Sequence, residues 1–217
     1  MTYWAQLLHF YQPPTQTHEF LRRAADESYR PLLGVIRDHP PARLAVNISG
    51  VLTELLLDHG LGDVIHGLRE LAERGQVEFV GSGKFHPILP LIPEKERRRS
   101  IADNEATNAV AFGASWKPRG FFPPELCFSS SITPEIRSTG HEWLLLSGVA
   151  CPSPWPIDTV FRTSTGGHTL AALFRDDSRS NRISFRETDP ARFIDDLSRV
   201  GDGAPAYVFT AMDAETY

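Results

Sequence analysis

The chain of 217 residues predicts an α/β fold, a mainly parallel sheet whose strands are joined by crossover helices. Compact apolar runs of strand length alternate with stretches whose apolar residues recur at helical spacing. Gly, Pro and capping residues punctuate these runs, so the chain reads as repeated β–α units. Units of this length join parallel strands by right-handed crossovers, in a barrel-like or a doubly wound sheet. No repeat or low-complexity linker interrupts them, and residues 1–217 read as one domain.

Residues 3–10 form an apolar run suited to a buried first strand, and 43–48 predict a second. Leu61, Val64, Ile65, Leu68, Leu71 and Ala72 then share one helix face. Gly75 supplies the left-handed residue that commonly ends a helix. Residues 76–80 follow as a third strand, running into Gly81-Ser82-Gly83. The next helix is expected over 93–111 with Ile101, Ala102, Ala109 and Val110 inward. Residues 119–122 predict a short fourth strand. Thr133-Pro134 reads as an N-cap followed by proline in the first turn, and Gly140 closes that helix. Residues 143–146 make another buried strand, and 152–186 turn to short β-like pieces with loops. Asp189-Pro190 opens a helix carrying Phe193, Ile194, Leu197 and Val200, closed by Gly201, and 206–212 are the last buried strand. A buried parallel strand is normally followed by a covering element, and an eight-fold barrel takes ~250 residues. The expectation is a partial chain, truncated on its C-terminal side. A native product with the mass of these residues alone would contradict it.

Hydrophobic residues at 41% and charged residues at 23% describe a soluble globular protein. Net charge is −5, and the densest basic cluster, Glu94-Lys95-Glu96-Arg97-Arg98-Arg99, carries its own acids. It reads as a solvated helix start, which argues against nucleic-acid binding. Cys127 and Cys151 are too few for a disulfide framework and predict reduced thiols in a cytoplasmic protein. The N-terminus has no basic leader and no apolar run nears ~18 residues, so neither a signal peptide nor a membrane span is expected. Gly-x-Ser-x-Gly and P-loop patterns are absent, and no cofactor or metal is expected.

Chemistry-bearing residues gather at the ends of predicted strands. Glu125 follows the fourth strand and Asp213 the last, where parallel-sheet enzymes keep their catalytic groups. Two acids on different strands are the minimum equipment for cleaving a glycosidic bond, although a single loop acid is usually just solvated. His9-Phe10-Tyr11-Gln12-Pro13 follows the first strand and residues 81–90, with Lys84, Phe85 and His86, the third. His, Gln and Tyr suit sugar hydroxyls, and Tyr11, Phe85, Phe121, Phe122 or Trp155 suit an apolar sugar face. Each has a plainer reading. A lone His is more often structural, one of Phe121 and Phe122 must face away, Trp155 suits a packed loop, and Lys84 suits solvent or structure.

Four ordered motifs resemble glycoside hydrolase family 57, the α-amylase and 4-α-glucanotransferase group. They are His9-x-x-Gln12-Pro13, Gly75-x-Val77-Glu78 leading to His86-Pro87-Ile88-Leu89-Pro90, Pro124-Glu125, and Asp213-x-Glu215. The resemblance implies a partial (β/α)7-type barrel acting on α-glucans or maltooligosaccharides. It implies Glu125 as nucleophile, Asp213 as general acid/base, and His9, His86 and Glu215 as contacts to the sugar. Gln12, Tyr11 and Phe122 join them as substrate-binding candidates. The family works with retention, which calls for carboxyl groups about 5–5.5 Å apart. Many members carry His where Tyr11 stands and Trp where Phe122 stands, so the ring is kept and the polar handle changed. Further family motifs, and the helical region that usually completes the cleft, would lie beyond Tyr217.

Two alternatives are carried. One is a metal-dependent polysaccharide deacetylase or mannosidase-like enzyme with His9, His86 and Asp213 around zinc; no aspartate stands beside His9 to favour it. The other is a non-catalytic carbohydrate-binding relative.

Overall fold

A computed structural model describes residues 1–155, 157–201 and 203–216; Pro156, Asp202 and Tyr217 lie outside the described residues. Among the described residues one sheet contains eight strands. They are β1 (Thr2–Phe10), β2 (Leu44–Ile48), β3 (Val77–Gly81), β4 (Gly120–Phe121), β5 (Trp143–Leu146), β6 (Phe161–Thr165), β7 (His168–Phe174) and β8 (Ala206–Asp213). Their order is β6-β7-β5-β4-β3-β2-β1-β8. All neighbouring pairs are parallel except the β6–β7 hairpin. Beyond the end of β7 the sheet returns to β8: Arg175 bridges Phe209 in parallel register, and the Asp176 N–H donates to the Phe209 carbonyl at 2.7 Å. The parallel strands thus curl into the expected partial (β/α)7 barrel, closed at a narrow seam.

Alternation along the strands sets which residues face inward. Leu7, Val80, Phe122, Leu145 and Ala211 fill the barrel interior. Leu8, Phe10, Val46, Ile48 and Phe79 face the surrounding helices.

The sequence reading left 18–38 unassigned, yet α1 (His18–Ala24), a π turn (Ala25–Tyr29) and α2 (Arg30–Asp38) run on without a break. Leu21, Ala25, Tyr29 and Leu33 are all buried. A strict four-residue spacing drifts by about 40° per step on a 3.6-residue helix, and the wider π turn takes up that drift. Helix α3 (Gly50–Asp58), also unforeseen, starts where Ser49 Oγ accepts the Leu52 N–H.

Helices α4 (Gly62–Glu73) and α5 (Glu94–Phe112) lie where expected, but α5 is turned differently. Ile101, Asn104, Asn108 and Phe112 are buried, while Ala102, Ala109 and Val110 face solvent. Hydrogen bonds choose this phase. Asn104 Oδ1 accepts the Gly50 N–H at 2.8 Å. Asn108 accepts from Thr53 Oγ1 at 2.6 Å and donates to the Ile48 carbonyl at 3.0 Å. In α6 (Thr133–Ser138), Thr133 is already helical and not a cap, because the 3-10 turn Ser130–Ile132 runs straight into the helix.

The segment read as β pieces and loops also holds α7 (Asp177–Ser184). Its cap, Asp176, accepts the Arg179 N–H at 2.8 Å. Helix α8 (Pro190–Ser198) is capped by Asp189 as expected and buries Phe193 and Leu197, but leaves Ile194 exposed. Among the described residues no helix is long and apolar enough to cross a membrane. Both cysteines are free.

Candidate active site

Strand register builds the floor of the site. His9 on β1 lies beside Asp213 on β8 and beside Asn47 on β2. Leu7 and Ala211 face the barrel interior, so His9 and Asp213, two residues on, face the same way at the carboxyl end of the strands.

Asn47 is buried and donates through Nδ2 to the carbonyls of Val80 and Gly81, at 2.8 and 3.3 Å. Its Oδ1 is thereby turned to His9 Nδ1, 2.7 Å away. An oxygen acceptor there keeps the imidazole proton on Nδ1 and leaves a lone pair on Nε2. That Nε2 is buried without a hydrogen-bond partner among the described residues. Burial and then the neighbouring His86 lower the His9 pKa to about 3, against the bond to Asn47. His9 is a neutral acceptor facing the cleft.

His86 sits in the loop after β3 with a left-handed backbone, φ 54°. Its Nδ1 is 3.6 Å from Glu125 Oε1, too long for a hydrogen bond. Burial lowers its pKa while Glu125 raises it, so the pair is a neutral ring beside a carboxylate rather than an ion pair. The His9 ring stacks on Phe122 and on His86, at 4.7 and 4.9 Å between centroids. Tyr11 lies over His86 at 4.3 Å, its pKa raised by burial and by Glu125.

Glu125 follows Pro123-Pro124 in a tight turn closed by Leu126 N–H to the Pro123 carbonyl, 2.7 Å, and Cys127 N–H to the Pro124 carbonyl, 3.1 Å. Glu125 and Leu126 are both left-handed, φ 56° and 53°, an uncommon backbone for such residues. Strain of this kind concentrates at functional sites. The turn is tied to β3 through Phe122 N–H to the Gly81 carbonyl, 2.8 Å, and Ser82 Oγ to the Phe122 carbonyl, 2.8 Å. The Glu125 side chain remains open to the cleft, 68% exposed.

Asp213 also opens to the cleft. Partial burial of its carboxyl raises the pKa, the Glu125 charge raises it further, and Arg175 lowers it. Glu215 is held by two donors on one oxygen, the Tyr29 phenol and Gln12 Nε2, the latter at 2.9 Å. Burial raises its pKa against both bonds. Ser28 Oγ donates to the Ala214 carbonyl at 2.5 Å. The π turn therefore presents Ser28 and Tyr29 to the segment after β8, and pins it.

One groove of about 560 Å³ is lined by His9, His86, Phe122, Glu125 and Asp213 and runs on to Arg175 and Phe185. An adjoining groove of about 360 Å³ shares His9, His86, Glu125 and Asp213 and reaches Tyr11, Gln12, Phe20 and Glu215. All the candidate site residues thus border one of two joined grooves. A cavity of about 590 Å³ at the opposite barrel end is lined largely by apolar groups such as Trp4, Leu7, Phe79 and Phe209, with none of the candidates. Glu125 and Asp213 both lie at the other, carboxyl end of the strands.

Phe121, Phe85 and Trp155, the other aromatics named from the sequence, do not line these grooves. Phe121 is fully buried among Ile101, Ile132 and Leu144. Phe85 stands beside Lys84, and Trp155 lies under Arg179. Lys84 pairs with Glu54 at 2.7 Å, a structural role. The sequence reading missed Asn47, Tyr29, Arg175 and Phe185. Asn47 is signalled as a polar residue inside an apolar strand, and Arg175 as a charge just past one; Tyr29 and Phe185 carry no local signal. Among the described residues no three His, Cys, Asp or Glu side chains are grouped to hold a metal ion, so the zinc arrangement around His9, His86 and Asp213 has no geometric support.

The model of Glycosyl hydrolase family 57 matches residues 4–217. An alpha-amylase of Pyrococcus horikoshii is 29% identical over 187 residues, 82% of this chain and 28% of the relative. A 4-alpha-glucanotransferase of Thermococcus kodakarensis is 26% identical over 214 residues, 95% of this chain and 31% of the relative. The chain thus spans roughly a third of the length of such relatives. The crystal structure of 4-alpha-glucanotransferase from Thermococcus litoralis superposes with a TM-score of 0.86 at 23% identity, covering 100% of this chain and 33% of that one.

Proposed function

The chain belongs to glycosyl hydrolase family 57, and from that premise we propose that residues 1–217 form one catalytic barrel domain that cleaves or transfers α-1,4-glucan chains with retention. The observation that carries the reading is a shared cleft over Glu125 and Asp213, with the neutral rings of His9 and His86 between them. Amylase and glucanotransferase relatives supply the substrate class.

In the proposed reaction Asp213, protonated, gives its proton to the glycosidic oxygen as the bond to the anomeric carbon breaks. The Glu125 carboxylate attacks that carbon from the opposite face and forms a glycosyl ester. The Asp213 carboxylate then takes a proton from water or from an acceptor hydroxyl. The freed oxygen attacks the same carbon and releases Glu125, so configuration is retained. The cycle needs an acid that holds its proton towards neutral pH. Burial and the Glu125 charge both push Asp213 that way. His9 accepts a hydrogen bond from a sugar hydroxyl at Nε2, and His86, Gln12 and Glu215 bind further hydroxyls. Tyr11 and Phe122 wall the ring and hold the histidines. Water and a second glucan compete for one ester, which makes hydrolysis and transfer two outcomes of one mechanism.

The deciding measurement is the anomeric configuration of the first product from a defined maltooligosaccharide with the full-length protein. A retained α-product is expected, and an inverted β-product overturns the mechanism. Glu125→Gln is expected to lower turnover by roughly 10³-fold or more. Asp213→Asn is expected to lower it by about 10²–10⁴-fold. Wild-type turnover in Glu125→Gln would rule out the nucleophile.

A further inference from the structure

Two exposed phenyl rings stand at opposite ends of the joined grooves. Phe20, on the first turn of α1, borders the smaller groove and is 46% exposed. Phe185, just past the end of α7, borders the larger and is 70% exposed. The residues common to both grooves, His9, His86, Glu125, Asp213 and Thr216, lie between them.

Phe185 is presented by a fixed turn. Its N–H donates to the Asn181 carbonyl at 2.8 Å, Arg186 N–H to Ile183 at 3.0 Å, and Glu187 N–H to Arg182 at 2.8 Å. Arg186 takes the left-handed closing position, φ 55°, usually given to glycine. Ile183, two residues back, packs inward against the core, and the phenyl is left facing out. The polar neighbours are equally constrained. Arg175 Nε donates to the Ala211 carbonyl at 2.8 Å and its guanidinium bonds Asp177 and, at 2.9 Å, Asn181 Oδ1. Arg175, Asn181 and Ser184 line the groove beside Phe185. An apolar plate next to preoriented hydrogen-bonding groups matches a pyranose, with its apolar C–H face and hydroxyl rim. A groove of about 560 Å³ is within the roughly 300–1,000 Å³ of ligand sites larger than a single small ring.

We propose that Phe185 and Phe20 are sugar-stacking platforms on opposite sides of the cleavage point, so that the glucan chain crosses the acid pair and is gripped at both ends. The inference rests on the glucan-active reading above and adds to it where the chain lies. An enzyme holding only one side of the scissile bond would have no use for the second plate.

The test uses the full-length protein, as wild-type, Phe185→Ala, Phe20→Ala, the double variant and Phe185→Tyr. KM and kcat are measured on maltooligosaccharides of increasing length, and binding of the same sugars is measured in a Glu125→Gln background. Each Ala variant is expected to weaken long-chain binding about tenfold, with the change in KM exceeding that in kcat. The effect should disappear on sugars too short to reach the plate and be largely restored by Phe185→Tyr. The two losses should multiply in the double variant, since the two rings line different grooves and share no contact among the described residues. Unchanged binding in both Ala variants overturns the platforms while leaving the catalytic reading intact. So does a uniform loss of kcat at every length, or a lowered melting temperature with unaltered binding, which would mean that a phenyl packs against protein. A wild-type protein that neither binds nor cleaves maltooligosaccharide overturns both readings.

Discussion

At the residue scale the site depends on proton placement. Asn47 holds His9 as the Nδ1–H tautomer, which aims an acceptor at the cleft. Asn47→Ala removes that constraint and leaves the buried His9 Nδ1–H and the Val80 and Gly81 carbonyls without this partner. It should cost about 1–3 kcal/mol of stability, and nitrogen chemical shifts of His9 should lose their Nδ1–H signature; an unchanged tautomer would refute the assignment. Arg175 lowers the Asp213 pKa against burial and Glu125. Arg175→Gln should therefore raise it and move the alkaline limb of the pH–activity profile to higher pH. A shift to lower pH would show that Arg175 does not act on Asp213 through charge. Glu125 and Asp213 were legible in the sequence because an acid following an apolar strand stands out. Arg175 obeys the same rule, but its strand β7 was hidden in a segment read as loops.

At the element scale the groups behind β3 and β4 form a buried titratable pair. Glu105 Oε2 accepts from Trp116 Nε1 at 2.7 Å. Its Oε1 faces His141 Nε2 at 3.7 Å, and neither of those two atoms has a hydrogen-bond partner among the described residues. A Cβ at Gly81 would come within 2.2 Å of His141 Nε2, so this turn of β3 requires glycine. Gly81→Ala should destabilise by roughly 1–3 kcal/mol in urea unfolding; a neutral result would mean that the ring moves freely. Burial raises the Glu105 pKa from 4.5 to about 7 against the bond from Trp116. Burial lowers that of His141 from 6.5 to about 4. The folded chain keeps the Glu105 proton where the unfolded chain has lost it, so this stability drains away as pH rises from 4.5 to about 7. His141 has the opposite sign, losing stability as pH falls from 6.5 towards 4. Glu105→Gln should abolish the first slope and keep the second, as read from melting temperature against pH. Helix α5, which carries Glu105, was predicted in extent but not in phase. Its inward face is chosen by what Asn104 and Asn108 bond to, which apolar periodicity does not record.

At the scale of the whole molecule the barrel is unequally closed. Strand β1 is paired on both sides along its carboxyl half, whereas β7 and β8 meet at the Arg175–Phe209 bridge. Local opening follows the number of such contacts. The amide of Asp176 at the seam should exchange with solvent well before those of Leu7 to Phe10 in β1. Equal protection would mean that the seam is as firm as the continuous sheet. Arg175 at this seam also lines the larger groove, so the narrow closure borders the cleft.

The sequence by itself determined the α/β class, most strands, and the acids and rings that follow them. Those follow from short-range regularities: two-residue alternation, 3.6-residue stripes, and the motifs at strand ends. Only the tertiary structure decided that His9, Asn47 and Asp213 share one layer, since register is a relation between strands. It alone turned α5 onto its asparagines, used a π turn to bring Tyr29 to Glu215, and set Phe20 and Phe185 on the two grooves that share the acids. Those outcomes arise from hydrogen bonds and burial between residues far apart in the chain, which no local pattern encodes.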